Sequence, residues 1–305
     1  MRIVAALGGN ALLRRGDIPA AGIEEQHVES AVAALAPLAR DHDLVVTYGN
    51  GPQVGMLAVE SASDPALRHA FPLDALVGET QGMIGYFLLQ AFENALPGRQ
   101  VVSLISQTLV RADDPAFANP TKFIGRTYDE QQARQLTVAR GWQVRADGAS
   151  WRRVVASPEP RAIVELATVQ GMLAEGALVI SAGGGGVPVC RDSDGRLHGV
   201  EAVVDKDLAS ALLAKDIAAD ALLLLTDVPA VEIGFGSDHA QRIGRTTVAE
   251  LQSLDFAAGS MGPKVEAACR FVEHARKPAM IGLLDRAPQL LAHTEGTVVE
   301  PESER

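Results

Sequence analysis

The densest chemistry in this sequence is Asp205-Lys206-Asp207, which closes the β-branched run Val200–Val204 and opens an apolar stripe, Leu208, Ala209, Ala211, Leu212 and Leu213. An ammonium between two carboxylates at a strand-to-helix junction is costly to bury unless something uses it. Taken alone, the stretch also fits a capped helix start, with Asp205 as N-cap and the charges in water. Two more lysines stand in suggestive places: Lys122, among structure breakers, and Lys264, directly after Gly262-Pro263 at a helix start. In phosphoryl transfer the charge spreads over the oxygens of the moving group, so catalysis is mostly positioning and electrostatic stabilisation. Lysine is a compact point charge suited to that task, and Asp207 is placed to hold lysines by pairing with them. The alternative for each lysine is a solvated surface charge, and for Lys122 alone it is the better reading.

Glycine loops point the same way. Gly8-Gly9, Gly49-Asn50-Gly51 and Gly183–Gly186 each end a short apolar run. Glycine lets successive N–H groups turn toward one point, and such a nest beside a helix N-terminus binds anions. One such loop is only a tight βα turn; three in one sheet, with lysines near others, indicate a polyanion site. Gly8-Gly9-Asn10 lacks the dinucleotide spacing, and Gly186 is followed by Val187-Pro188 rather than by a P-loop lysine. A Rossmann oxidoreductase therefore lacks its fingerprint. The histidines are scattered, with no H-E-x-x-H or paired metal site, so histidine-based hydrolysis has little support.

The elements that must position these groups are short. Ile3–Leu7, Leu44–Thr47, Val101–Ile105, Leu178–Ile180, Ala221–Leu225, Met280–Leu284 and Thr297–Val299 read as strands. Val28, Ala31, Val32, Leu35 and Leu38 have helical spacing, as do Ile163, Leu166, Val169 and Leu173. Residues 72–96 read as one or two helices, in which Gly78, Gly82 and Gly85 either weaken a single long helix or mark close packing. Thr247 to Glu250 is a capping box, and Pro263 lies at or near the first position of a helix. Strands alternating with helices predict βαβ units, a mainly parallel sheet, and ligands at the carboxyl ends of its strands. Residues from about 111 to 160 break the pattern and carry an Asp147-Gly148 hairpin signal, which predicts an inserted subdomain or lid.

With 305 residues, 47% of them hydrophobic, the chain can build one large α/β unit or two lobes. A formal net charge of −11 argues against a nucleic-acid or anionic-membrane surface. No apolar run approaches the roughly 20 residues a membrane helix needs. No signal-peptide pattern is present, and Cys190 and Cys269 form no C-x-x-C pair, so reduced thiols and a cytoplasmic setting are expected.

In order along the chain, Ala-Leu-Gly-Gly-Asn-Ala-Leu (6–12), Gly-Asn-Gly-Pro-Gln-Val-Gly (49–55), Gln-Gly-Met-Ile-Gly-Tyr (81–86), Asn-Pro-Thr-Lys (119–122), Trp-Arg-Arg-Val-Val (151–155), Gly-Gly-Gly-Gly-Val-Pro-Val (183–189), Val-Asp-Lys-Asp-Leu-Ala-Ser (204–210) and Gly-Ser-Met-Gly-Pro-Lys-Val-Glu-Ala (259–267) are present. Together these segments resemble the carbamate kinases, a branch of the amino acid kinase family, over nearly the whole chain. The resemblance implies an open, mainly parallel sheet in a three-layer α/β/α sandwich with a protruding subdomain, usually as a homodimer. It implies the reaction ATP + carbamate ⇌ ADP + carbamoyl phosphate with Mg²⁺, typically run toward ATP in arginine or carbamoyl-compound breakdown. It divides the chain into an N-terminal lobe, 1–215, for carbamate or carbamoyl phosphate, with a lid at about 112–158, and a C-terminal lobe, 216–305, for the nucleotide.

Carried over by motif, Gly8, Gly9 and Asn10 contact the transferring phosphoryl group, and Gly49, Asn50 and Gly51 line the carbamoyl site. Lys122 reaches the phosphate from the lid, Lys206 and Lys264 neutralise phosphates, and Asp207 organises the lysines. Gly183, Gly184, Asp227, Met261, Gly262 and Pro263 belong to the nucleotide side, and no protein ligand is assigned to Mg²⁺. Two departures stand out. Tyr48 replaces a common histidine and bears on the packing of the carbamoyl loop. Phe123 replaces a common proline and bears on the stiffness of the lysine-bearing loop. Another branch of the family, with a larger carboxylate acceptor such as acetylglutamate, fits Lys122 and the Trp-Arg-Arg motif less well. A nucleotide or anion sensor without catalysis leaves the retained lysines and Asp207 unexplained.

Overall fold

In the computed structural model, which describes residues 1–9, 12, 22–236, 239–256 and 261–302, the short apolar runs assemble into one eight-stranded sheet. Its order is Arg245–Thr247, Thr297–Glu300, Ala279–Leu283, Ala221–Thr226, Arg2–Leu7, Asp43–Tyr48, Leu178–Ile180 and Val101–Ser103. Neighbours pair in parallel except Thr297–Glu300, which is antiparallel to Ala279–Leu283.

The strands are apolar without alternation because both faces are covered. Ile3, Ala5, Leu7, Leu44, Val46, Leu223 and Leu225 meet helices Ile23–Asp41, Leu73–Ala95 and Ala287–Leu291 on one face. Val4, Ala6, Val45, Val179, Leu222 and Leu224 meet helices Leu166–Ala174, Lys206–Asp216 and Met261–Ala275 on the other. This is the expected three-layer sandwich. Each fully buried leucine or isoleucine in these strands contributes about 1.5–3 kcal/mol relative to exposure, so the sheet centre is a rigid platform.

Strand Ala221–Thr226, beyond the expected lobe boundary at 215/216, pairs directly with Arg2–Leu7. The two halves of the chain therefore share one sheet. Arg2–Leu7 has strand Asp43–Tyr48 on one side and Ala221–Thr226 on the other, so the chain reverses direction across the sheet here. Open α/β sheets bind ligands in the crevice at such a point.

Among the described residues, two smaller sheets bear on the site, besides a two-stranded ribbon of Glu232–Ile233 and Gln241–Arg242. One joins Leu197–Gly199, Val187–Arg191, Gln107–Leu109 and Ala162–Ile163. The other is antiparallel, in the order Lys122–Tyr128, Ser150–Val155, Val144–Asp147, and it carries helix Glu130–Arg140. The Asp147-Gly148 signal is the hairpin of that sheet, with Asp147 paired to Ser150.

Several sequence expectations need correction. Val200–Val204 is not a strand: the Ala202 amide turns back to the Val200 carbonyl, Val203 hydrogen-bonds to the Ala156 carbonyl, and only Ala202, Val203 and Val204 are buried. Residues 162–163 form a short strand, and the helix expected from Ile163 begins at Leu166. Lys122 is the first residue of a strand rather than part of a loop, and Phe123 pairs across that ladder with Val154. The Phe123 backbone is therefore fixed by sheet pairing, and its ring packs 5.6 Å from the Arg152 guanidinium. Residues 73–95 form one helix. Of its glycines, Gly85 marks close packing, since a Cβ there would lie 2.4 Å from Ser103 Oγ.

Candidate active site

Helix Lys206–Asp216 starts where the sequence places it, and the cap decides how its charges point. Asp205 Oδ1 accepts from the Asp207 and Leu208 amides at 2.9 and 3.3 Å, satisfying N–H groups that a helix start leaves open. Ser210 Oγ donates to the Lys206 carbonyl at 2.5 Å and lies 2.6 Å from Thr47 Oγ1. The first helical turn is thereby fastened to the end of strand Asp43–Tyr48.

The lysines converge on this turn. Lys206 Nζ donates to Asp207 Oδ1 at 2.5 Å, and Lys264 Nζ donates to Asp207 Oδ2 at 3.1 Å. Lys122 Nζ pairs with Asp205 Oδ2. Lys206 is 8% and Asp207 4% exposed, so neither is a solvated surface charge. Burial pushes the Asp207 carboxyl up, but Lys206 and Lys264 hold it well below the usual carboxylate range. Asp205 is likewise held down, Lys122 overcoming the effect of burial. Burial pulls Lys206 down to about 8 against the opposing charge of Asp207. Lys264 is also penalised by burial, yet Asp207 raises it above the ordinary lysine value. Three ammonium groups thus converge on two carboxylates at a helix N-terminus, a place that favours anions.

The first two glycine loops meet beside it. A Cβ on Gly49 would lie 3.0 Å from the Gly9 nitrogen and 3.2 Å from Lys206 Cδ. Glycine at 49 therefore lets both loops and the Lys206 stem touch. A Cβ on Gly8 would lie 3.1 Å from the Leu225 carbonyl oxygen, to which the Gly8 amide donates at 3.1 Å. This corrects the expectation that the Gly8 N–H faces an anion: the sheet already uses it. The Gly49 amide is similarly committed to the Leu7 carbonyl. Asn10 lies outside the described residues. Gly51 opens helix Gly51–Ser61, and a Cβ there would lie 3.8 Å from the Phe123 carbonyl oxygen.

The third loop lies against the second. A Cβ on Gly183 would fall 2.4 Å from the Tyr48 ring, and one on Gly184, at φ +63°, would fall 2.1 Å from Asn50 Nδ2. Gly183 and Gly184 therefore pack on the Gly49–Gly51 side. Asn50 Nδ2 donates to Thr80 Oγ1 at 2.8 Å, and the Tyr48 hydroxyl donates to the Gln81 carbonyl at 3.1 Å. Tyr48 is fully buried, which raises its pKa, so it acts as a packed, uncharged support for the loop.

Asp227 follows the end of strand Ala221–Thr226, and its charge contributes to raising the pKa of Lys264. Helix Met261–Ala275 carries Met261, Gly262, Pro263 and Lys264 in its first turn. Gly262 and Pro263 line a cavity of about 510 Å³ with Leu251, Leu254, Phe256 and Val265. Its lining does not include Asp227 or Met261.

Sequence reasoning missed the supporting groups: Asp205 as the partner of Lys122, Ser210 and Thr47 beneath Lys206, and Thr80 behind Asn50. The available signal was polarity in apolar surroundings. Thr47, Thr80, Gln81 and Ser210 are all at most 2% exposed, and buried polar groups need partners.

The sequence matches the family model described as the amino acid kinase family over residues 1–282. It is 49% identical over 303 residues to a carbamate kinase from Rhizobium meliloti, covering 98% of this chain and 93% of that protein. It is 46% identical over 297 residues to a carbamate kinase from Escherichia coli, covering 97% and 98% respectively. A solved structure of carbamate kinase from Giardia lamblia bound to AMP-PNP superposes with a TM-score of 0.89 at 36% identity, covering 99% of this chain and 98% of that one.

Proposed function

The chain belongs to the amino acid kinase family, in its carbamate kinase branch, and we propose that it moves a phosphoryl group between ADP and carbamate through the lysine–aspartate centre at the start of helix Lys206–Asp216. The observation that carries this placement is Asp207, whose two oxygens hold Lys206 and Lys264 beside the meeting point of Gly9 and Gly49.

The acceptor side is the Gly49-Asn50-Gly51 loop, with Gly183 and Gly184 as its backing. The nucleotide side is the end of strand Ala221–Thr226 and the first turn of helix Met261–Ala275, with Asp227, Met261, Gly262 and Pro263. A carbamate oxygen and the ADP β-phosphate oxygen then flank the phosphorus in line, and no covalent enzyme intermediate is required. Lys206 and Lys264 stabilise charge on the transferring group from fixed positions, so little reorganisation accompanies the step. Lys122 closes the site from the small antiparallel sheet, in the role of a lid that keeps water from carbamoyl phosphate.

Mg²⁺ suits this centre as a partner of the nucleotide. The oxygens of Asp205 and Asp207 are occupied by amides and lysines, while Mg²⁺ binds readily through phosphates and water. It would supply further neutralisation of the phosphate charge.

Physiologically the reaction runs toward ATP, as a last step of arginine or carbamoyl-compound breakdown. Met83 and Tyr86, exposed on helix Leu73–Ala95, together with exposed Ile105, support association into a homodimer. The free thiols Cys190 and Cys269 accord with a reducing, cytoplasmic setting. No described helix is long and apolar enough to cross a membrane.

The test is ATP formation from ADP and carbamoyl phosphate with Mg²⁺. Turnover no faster than spontaneous decay of carbamoyl phosphate sinks the reading. Acetylglutamate, offered with ATP as an alternative acceptor, is expected to give none.

A further inference from the structure

A second cavity, of about 500 Å³, lies where the small antiparallel sheet meets the body, and its lining contains none of the glycines and lysines assigned to catalysis. That volume is within the range of about 300–1,000 Å³ typical of small-molecule sites. Its walls come from both units: Arg140, Trp142 and Arg153 from the small sheet and its helix, and Ala58, Phe71 and Leu73 from the body.

One wall is a built cationic stack. The Arg153 guanidinium lies 4.2 Å, and that of Arg140 5.1 Å, from the Trp142 ring centroid. Arg140 is tied across to the body, donating to Ser63 Oγ at 2.7 Å. Arg153 has far less company. Its side chain is 14% exposed, and its anionic partner is Glu201 at 3.6 Å, beyond hydrogen-bond length. The other Glu201 oxygen accepts from the Leu73 amide at 2.8 Å. A guanidinium carries five donors in a planar fork that matches a carboxylate bidentately. Burial accordingly works to lower the Arg153 pKa, with Glu201 opposing it only in part. Two guanidinium groups and one carboxylate leave the cavity net positive, while Phe71, Leu73, Trp142 and Val155 give it an apolar wall.

We propose that this cavity is a binding site for a small aromatic carboxylate, whose carboxylate takes the Arg153 fork and whose ring lies against Trp142 and the apolar wall. Such a ligand bridges the small sheet to the body. Val155, which lines the cavity, is the ladder partner of Lys122, so occupancy biases where Lys122 sits. The cavity is therefore an effector site for the lid. The effect on turnover rests on the role given to Lys122 above; binding itself does not.

The probe is 2-naphthoate, titrated into the full-length protein and followed by calorimetry. The expected result is saturable one-to-one binding that ADP and carbamoyl phosphate do not displace, weakened about tenfold or more in both Arg153→Met and Arg140→Gln. Arg140 is half-buried at the end of helix Glu130–Arg140, so its variant serves if Arg153→Met fails to fold. 2-Naphthoate is expected to change kcat in the wild type, and in Arg140→Gln only at about tenfold or more higher concentration. Absence of binding at millimolar probe, displacement by ADP, or unchanged affinity in Arg140→Gln overturns the site. Binding that leaves wild-type kcat unchanged overturns its coupling to the lid.

Discussion

Lys122 and Asp205 are paired across 83 residues of sequence, and Asp205 is also the residue that caps the helix carrying Lys206 and Asp207. One carboxylate thus does two jobs: one oxygen orders the helix start and the other receives the lysine of the small sheet. The position of that sheet and the first turn of the catalytic helix are linked through a single side chain.

Substitutions at Asp205 separate the two jobs. Asparagine is as good an N-cap as aspartate, so Asp205→Asn keeps the cap and loses the charge that holds Lys122. We expect kcat to fall about tenfold, equivalent to about 1.4 kcal/mol of barrier, with the helix intact by circular dichroism. Asp205→Ala loses the cap as well and costs a further ~1 kcal/mol of stability. Equal melting temperatures for the two variants would show that the cap contributes nothing.

Lys206 and Lys264 act on the transferring group, so their loss is expected in kcat more than in nucleotide affinity. Removing one preorganised charge of this kind costs about 10²–10³-fold in kcat. Steady-state kinetics of Lys206→Ala and Lys264→Ala with ADP varied checks this. Near-normal kcat in either variant would contradict its assigned role.

The lowered pKa of Lys206 predicts an alkaline limb. Burial brings its ammonium to about 8, so the charge is present below that pH and is lost as pH rises through it. The free-enzyme parameter, kcat/KM for ADP, is therefore expected to decline above about pH 8. Asp207 is the charge that keeps Lys206 from falling further, so Asp207→Asn is expected to move the limb to lower pH. A limb that stays in place in Asp207→Asn would assign it to another group.

The platform was legible in the sequence because its signals are local. Runs such as Ile3–Leu7 and Ala221–Leu225 become strands at nearly the expected bounds, and Thr247–Glu250 forms its capping box. The convergence of Lys206, Asp207 and Lys264 was anticipated, since charges embedded in apolar stretches must find partners. The Asp205–Lys122 pair was hidden because capping already explained Asp205, and nothing in the spacing reveals a partner 83 residues away. Gly183 and Gly184 show a related limit. Glycine announces close approach without naming the neighbour, which here is Tyr48 and Asn50. The β-branching of Val200–Val204 suggests a strand, but burial of Val203 and Val204 in a connection satisfies it as well.

The contact that sets the small sheet against the body is between two glycines, and it yields a last prediction. A Cβ on Gly55 would lie 2.0 Å from the Gly125 Cα and 2.1 Å from its nitrogen. Helix Gly51–Ser61 and strand Lys122–Tyr128 therefore touch backbone to backbone. Gly125, at φ +70°, lies between Ile124 and Tyr128, where the ladder register shifts. Because both partners there are backbone, Gly55→Ala cannot be absorbed by a side-chain rotation; the strand must move, and Lys122 with it. Overpacking of this kind costs about 1–3 kcal/mol, partly offset by the ~1 kcal/mol that alanine gains over glycine in a helix. The control is Gly171→Ala, on the exposed face of helix Leu166–Ala174 with nothing within 4 Å of the added Cβ. It is expected to raise the melting temperature and leave kcat unchanged. Gly55→Ala is expected to lower both at a temperature where it remains folded. A lower melting temperature with unchanged kcat would mean that this contact only packs the small sheet and does not position Lys122.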